Sequence, residues 1–171
     1  ICKIMDEKVM VNAMIGLLAT GGSTNHSIHL IAIARMAGIL IDWEDMDELS
    51  SVIPLMTRMY PNGSADVNAF ETAGGMPFLM KELLGAGLLH NEVNTILGYG
   101  LERWCQKPVL NESGQLSWVE SAAESADTSV LAPVSQPFLH EGGMKLVSGN
   151  LGRAVMKVSA VPDDRWVFEA P

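Results

Sequence analysis

The sequence is poor in cysteine and has no surplus of basic residues. Its 171 residues include only Cys2 and Cys105, too few for a disulfide framework. These two cysteines, with 11 methionines in no pairing pattern, indicate a reducing, cytoplasmic environment. Asp and Glu number 20 against 11 Lys and Arg, which gives a net charge of −9. Because no basic surplus can displace counterions, a nucleic acid is not expected as the main partner.

Long apolar runs are also absent. None reaches the roughly 18 residues that a membrane-spanning helix requires. The nearest, residues 28–41, is interrupted by His29, Arg35 and Gly38. The sequence shows no basic, apolar leader either, so a membrane is not expected as a partner. A small anionic substrate is compatible with the negative net charge, because the field inside a pocket can oppose that of the whole chain.

The composition predicts a folded chain with a substantial core. Hydrophobic residues make up 48% and charged residues 18% of the sequence, which fits one domain, or one domain and part of a second. The chain starts at Ile1 without an initiator methionine and ends in a strand-like run at 167–171. We therefore expect a segment of a longer polypeptide.

Hydrophobic periodicity predicts an α/β chain that is helical first and strand-rich last. Helices are predicted over 6–19, 24–37, 42–51, 66–73, 77–84 and 101–105, and Asp6 is placed to cap the first of them. The run Pro61-Asn62-Gly63 is predicted to be a turn. Strand-like pieces are predicted at 39–41, 52–59, 95–97, 144–147 and 154–158, and Pro54 confines the second of these to an edge strand or an irregular extension. Between 108 and 137, only 116–119 is predicted to be ordered. The helix over 24–37 is apolar on nearly every side, which is typical of a central helix. We divide the chain into the C-terminal part of an α/β domain (1–107), a connecting segment (108–137) and the start of a β domain (138–171).

The most informative local motif is a glycine–hydroxyl run between the first two predicted helices. It comprises Gly21, Gly22, Ser23, Thr24, Asn25 and His26. Paired glycines permit a sharp turn and a close approach of the backbone. A helix start offers unpaired N–H groups and a positive dipole end, which together can bind a carboxylate or a phosphate. The alternative is that Ser23 or Thr24 only caps a core helix.

Histidine and cysteine give no complete metal site. His26 and His29 share a helix face but have no carboxylate or thiolate beside them. A packed histidine bonded to a carbonyl is favoured for His29, whereas His26 is equally compatible with facing the hydroxyl pocket. Cys2 and Cys105 are far apart in sequence and lack a metal-ligand spacing. No metal ligand is therefore assigned.

Two charged motifs remain. Arg153 follows the glycine-rich stretch 142–152 and has the chemistry for a bidentate phosphate contact, although a solvated arginine at a strand edge is more common. The acidic run 42–48 is spread around a predicted helix, so a solvated outer face is expected.

Four blocks, in order along the chain, resemble the dihydroxy-acid and 6-phosphogluconate dehydratases. They are Leu17–Asn25, Ala73–Pro77, Ala86–His90, and Ser148–Leu151 with Ala154–Lys157. Within that family, His26 after the Ser-Thr-Asn and the stretch 149–154 favour the 6-phosphogluconate branch. Tyr60-Pro61-Asn62-Gly63 and Gln136-Pro137-Phe138 are similar to the same branch.

The resemblance implies a hydro-lyase that converts 6-phospho-D-gluconate to 2-dehydro-3-deoxy-6-phospho-D-gluconate in the Entner–Doudoroff pathway. It also implies an α/β domain followed by a β-barrel-like domain, a homodimer, and an iron–sulfur cluster expected to be of the 4Fe-4S type. Cys2 and Cys105 match none of the family's cluster ligands, and no catalytic residue falls in this segment. We therefore expect the segment to be inactive alone, with Gly21–His26 and Arg153 as substrate-binding residues.

Two alternatives are kept. The nearest is a fragment of a dihydroxy-acid or other sugar-acid dehydratase. The other, from a different class, is a non-catalytic anion-binding or scaffold domain, in which the glycine–hydroxyl run serves merely as a helix cap.

Overall fold

Five α-helices occupy the first half of the chain in a computed structural model that describes residues 1–165, 167 and 169. They are α1 (Glu7–Ala19), α2 (Thr24–Met36), α3 (Trp43–Ser50), α4 (Val67–Ala73) and α5 (Gly75–Gly85). The predicted helices are confirmed at these positions. Helix α5 begins earlier than predicted, so Pro77 is its third residue rather than its first. The strand-like run predicted at 167–171 falls largely outside the described residues.

Polar side chains fix where these helices begin. The carboxylate of Asp6 accepts the N–H of Val9 at 2.8 Å, and that of Asp66 accepts the N–H of Ala69 at 2.8 Å. Each bond satisfies an N–H that has no partner inside its own helix. The predicted cap at Asp6 is thereby confirmed. It could be predicted because a short acidic side chain just before an apolar run is a local sequence signal.

Helix α1 lies at the centre of the core. Its buried side chains include Met10, Met14 and Leu18. The core extends to residues from α2 through α5 and to later segments of the chain: Leu30, Ala34, Met46, Phe70, Phe78, Leu79, Leu83, Val93, Leu131 and Met144. Burial of this much apolar surface is the main favourable term for the fold.

Helix α2 is not the central helix that its composition predicted. Only Ser27, Leu30 and Ala34 are buried along it, whereas Ile28 is 56% exposed and Met36 is 89% exposed. Apolar composition shows that a helix face can be buried, but it does not show whether a neighbour covers it.

No helix in the described part of the chain is long and apolar enough to cross a membrane.

In the described residues, the strands form three separate antiparallel hairpins. They pair β1 (Asn94–Thr95) with β2 (Gly98–Tyr99), β3 (Gln106–Leu110) with β4 (Leu116–Glu120), and β5 (Lys145–Gly149) with β6 (Gly152–Met156). The last two predicted strands are thus confirmed, and β4 is the ordered piece predicted at 116–119. The predicted short helix at 101–105 is a 3₁₀ helix, Glu102–Cys105. The predicted strand at 39–41 is absent: Ile39 and Ile41 are buried, but this segment pairs with no strand among the described residues.

Two later segments pack against the helices. Residues 52–59 form an irregular extension, as predicted, and bridge Leu139 through Leu55 and Leu131 through Thr57. The β5–β6 hairpin lies beside α3, where the N–H of Leu146 donates to Asp47 Oδ1 at 2.7 Å. An isolated two-stranded hairpin is marginal in water, so such contacts account for its position. The mixed α/β class is confirmed, while the division into three regions stays a prediction.

Candidate functional site

The glycine run closes α1 before it opens α2. Gly21 has φ +55°, a left-handed conformation that favours glycine. Its N–H donates to Leu18 O at 3.1 Å, and the N–H of Gly22 donates to Leu17 O at 2.9 Å. This pair of bonds is the Schellman C-terminal cap. The N–H groups of both glycines are therefore engaged by α1.

Ser23 is the N-cap of α2, as one of the two sequence interpretations predicted. Its side chain accepts the N–H of Asn25 at 3.1 Å, and its carbonyl accepts the N–H of His26 at 3.0 Å. The N–H groups of Ser23 and Thr24, and the Thr24 hydroxyl, have no hydrogen-bond acceptor among the described residues. These three donors are what the helix start can offer to a ligand.

A side-chain relay holds the glycine run in place from outside α1 and α2. Asn62 Nδ2 donates to Gly21 O at 2.9 Å, and Ser159 Oγ donates to Asn62 Oδ1 at 2.9 Å. Thr57 Oγ1 donates to Thr20 O at 2.8 Å. Residue 62 was predicted only to lie in a turn, which is confirmed. Its bond to Gly21 and the role of Ser159 were not predicted, because local sequence carries no information about such distant partners.

The glycine run forms one wall of a cleft of about 340 Å³, the glycine-loop cleft. The lining residues are Thr20, Gly21, Gly22, Ser23, Thr24, Met59, Tyr60, Pro61 and Lys157. Lys157 is the one charged residue in this set. Sequence analysis did not single it out as a site residue, since it lies more than 130 positions from the glycine run and is brought there by the fold.

Arg153 lines a second cleft, of about 440 Å³, together with Thr24 and Ser27. Its guanidinium forms an ion pair with Glu44, and both side chains are about half exposed. Hydrogen bonding to Glu44 raises the pKa of Arg153 above its ordinary value. The charge of Arg153 is thus already partly compensated, and a ligand there would compete with Glu44.

The structure brings some of the predicted site residues together and leaves others apart. Gly21, Gly22, Ser23 and Thr24 line the glycine-loop cleft, and Thr24 also lines the cleft of Arg153. Asn25 and His26 are exposed and line neither cleft. Their substrate-binding role stays a prediction. His29 was predicted to be a packed residue and is exposed instead, because it lies on the uncovered face of α2.

The cysteines of the chain do not suit an iron–sulfur cluster. Cys2 is exposed at the start of the chain, whereas Cys105 is half-buried and its thiol donates to Leu101 O at 3.6 Å. Burial raises the pKa of the Cys105 thiol, although a cluster ligand has to be a thiolate. Within the part of the chain that the structure describes, no three His, Cys, Asp or Glu side chains are grouped to hold a metal.

The start of α2 and Lys157 bring hydrogen-bond donors and a positive charge to one cleft of this α/β chain, an arrangement that suits an anionic ligand. Comparison with known families makes this more specific. Residues 1–104 match the model described as dihydroxy-acid/6-phosphogluconate dehydratase N-terminal. The chain belongs to this family.

Curated relatives align with almost the whole chain. The phosphogluconate dehydratase of Escherichia coli (strain K12) is 59% identical over 169 residues, and that of Zymomonas mobilis subsp. mobilis is 53% identical over 169 residues; each alignment covers 99% of this chain. The dihydroxy-acid dehydratase of Pyrobaculum aerophilum is 35% identical over 173 residues, or 98% of this chain. The chain spans 28% of the length of each of these three relatives.

Proposed function

We propose that this chain is part of a hydro-lyase that dehydrates 6-phospho-D-gluconate to 2-dehydro-3-deoxy-6-phospho-D-gluconate in the Entner–Doudoroff pathway. The observation that carries the proposal is the difference in identity between the two branches of the family. Relatives named phosphogluconate dehydratase are 50–59% identical to the chain, whereas the dihydroxy-acid dehydratase is 35% identical. The substrate would be a small sugar-acid phosphate, not a nucleic acid or a membrane.

In this proposal the chain contributes substrate binding rather than catalytic groups. The free N–H groups of Ser23 and Thr24 and the Thr24 hydroxyl would donate to substrate oxygens. Thr24 lines both clefts, and Arg153 lines the second, where it would be the positive charge nearest to a substrate bound there. Gly21 and Gly22 would shape the wall of the cleft, because their own N–H groups are used to cap α1.

The remaining features belong to the longer protein of which this chain would be a part. It would be a cytoplasmic homodimer, and its β5–β6 hairpin would begin a barrel-like C-terminal domain. The iron–sulfur cluster implied by the family resemblance would be held by cysteines outside this chain, since Cys2 and Cys105 do not fit it. The nearest alternative is a dehydratase for dihydroxy acids or another sugar acid, which the lower identity to that branch makes less favoured.

The full-length protein tests the substrate assignment directly. Purified anaerobically, it is expected to form a 2-keto acid from 6-phosphogluconate, measured by coupled assay, and to be much slower with a branched-chain 2,3-dihydroxy acid. Turnover of the dihydroxy acid alone would refute the assignment.

A Thr24→Val variant of the same protein tests the site, because it removes one hydroxyl while keeping the shape of the side chain. Loss of one hydrogen bond to a charged oxygen is expected to lower kcat/KM by about 10-fold or more. Thr72→Val is the matched control, since Thr72 is an exposed residue of α4 whose hydroxyl donates to Asn68 O at 2.8 Å, and it lines neither cleft. Equal kcat/KM in the two variants would show that the Thr24 hydroxyl does not bind the substrate.

A further inference from the structure

Among the described residues, Lys157 is the one charged side chain that lines the glycine-loop cleft, in a chain that is strongly acidic. The net charge is −9, yet the described residues that line this cleft include no Asp or Glu. Its other polar groups are backbone amides, hydroxyls and the phenol of Tyr60. Lys157 therefore sets the sign of the local field, and that sign favours an anion.

Lys157 differs from the paired lysines of the chain. Lys8, Lys107 and Lys145 form ion pairs with Glu92, Glu71 and Glu141. None of the carboxylates whose side chains the structure describes lies within ion-pairing distance of Lys157. Its side chain is also partly buried, and this burial lowers the pKa of its ammonium group. A partly desolvated cation without a counter-ion is unfavourable, and binding of an anion would offset that cost.

The segment that carries Lys157 is bound to the glycine run through Ser159. The N–H of Ser159 donates to Gly143 O at 3.2 Å, and its hydroxyl donates to Asn62, which in turn holds Gly21. Strand β6 ends immediately before Lys157 and is paired along its length with β5. The lysine and the helix start are thus held by one network, as a preorganised binding site requires.

We propose that Lys157 is an anion-binding residue of the glycine-loop cleft, whose ammonium group pairs with an oxyanion of the substrate beside the start of α2. The proposal rests on the proposed function, because a sugar-acid phosphate supplies the anion. Its carboxylate and its phosphate share the required chemistry. The first turn of α2 would donate to the oxyanion from the wall that the glycine run forms. Lys157, which follows β6, would contribute the positive charge.

The test compares Lys157→Met and Lys157→Arg in the full-length protein, with Lys107→Met as the matched control on exposed β3. Losing one charge-assisted hydrogen bond is expected to weaken 6-phosphogluconate binding, measured by calorimetry, by about 10- to 100-fold in Lys157→Met. Lys157→Arg keeps the charge and should recover part of the affinity. Lys107→Met should bind like the wild type. In steady-state kinetics, KM should rise by a larger factor than kcat falls, because a residue that binds substrate without reacting acts mainly on binding.

Two simpler anions identify the group that is bound. If Lys157→Met loses affinity for gluconate but not for glycerol 3-phosphate, the carboxylate is the partner; the reverse result assigns the phosphate. Either result supports the proposal. Wild-type affinity of Lys157→Met for 6-phosphogluconate and for both probes would overturn it. Failure of Lys157→Arg to bind better than Lys157→Met, with both variants folded, would also overturn it, because the charge would then be irrelevant.

The proposed function can fail separately. If the wild-type protein neither binds nor converts 6-phosphogluconate, the substrate assignment is wrong. The role of Lys157 is then tested separately, by measuring the binding of gluconate and of inorganic phosphate to the wild type and to Lys157→Met. Weaker binding by the variant supports an anion site at Lys157, and equal binding excludes it.

Discussion

Helices α2 and α3 both begin at a polar cap, but they satisfy their first N–H groups in different ways. At α3, one Asp42 oxygen accepts the N–H groups of Glu44 at 2.9 Å and Asp45 at 3.2 Å. The Asp45 carboxylate accepts the N–H of Asp42 at 2.8 Å, which completes a capping box. At α2, the neutral Ser23 hydroxyl accepts a single N–H.

The difference shows why a helix start is not by itself an anion site. The positive end of the α3 dipole is already matched by carboxylates of its own first turn. The first turn of α2 contains no acidic residue, and Lys157 lines the same cleft. The charge supplied by the protein therefore decides which of the two helix starts is available to an anionic ligand.

The largest expected effect comes from the glycines that precede the two helices. Gly21 and Gly38 both have positive φ, at +55° and +80°. A Cβ at Gly21 would overlap Asn62 Nδ2, whereas a Cβ at Gly38 would meet no atom within 4 Å. Gly21→Ala is expected to lower the free energy of unfolding by about 3 kcal/mol, from left-handed strain and displacement of Asn62. Urea unfolding of the chain, followed by circular dichroism, measures the loss.

Gly38→Ala measures the cost of the left-handed backbone conformation without any steric overlap of the new Cβ. It should cost only about 1 kcal/mol, the usual penalty for placing alanine in a left-handed conformation. Equal losses of unfolding free energy at the two positions would mean that Asn62 does not stabilise the glycine run. The inference that the start of α2 is held rigidly would then be wrong.

The sequence predicts local features of both helix starts well. Asp6 and Ser23 were assigned as possible caps from their place before an apolar run, and a cap needs only a side chain and an N–H a few residues away. The turn around Asn62 was found for the same reason. The contact that Asn62 makes could not be predicted, because Gly21 lies 41 positions away. Their hydrogen bond depends on how α1 packs against the extension 52–59.

The misjudged features depend on tertiary packing. Helix α2 was predicted to be central because apolar residues surround it, but Ile28 and Met36 face away from the described core. The piece at 39–41 is a short apolar run, as in a buried strand, and yet it finds no pairing partner in the described part of the chain. Sequence analysis placed Lys157 in a predicted strand and in a block of the family resemblance, but not in a site, because nothing in the sequence near it indicates a cleft shared with residues 20–24.

The smallest expected effect concerns pH and sharpens the comparison between the two caps. The N–H of Asp45 bonds to the Asp42 carboxylate and holds its pKa below the ordinary value of 3.8. A carboxyl group whose pKa is lower in the folded chain stabilises it above the unfolded pKa, and this contribution is lost as the pH falls through the folded pKa. Asp42→Asn keeps a capping side chain that does not titrate. The wild type should therefore exceed Asp42→Asn in unfolding midpoint near neutral pH, and this advantage should disappear below the folded pKa of Asp42.

Ser23→Ala supplies the comparison at α2, where the cap carries no charge. Loss of the hydroxyl should cost about 1 kcal/mol, and the difference from the wild type should stay constant from pH 7 down through the range in which Asp42 titrates. Midpoints of urea unfolding at several pH values test both variants together. An Asp42→Asn difference that stays flat with pH, or a Ser23→Ala difference that follows the Asp42 titration, would contradict the assignment of negative charge to the α3 start alone.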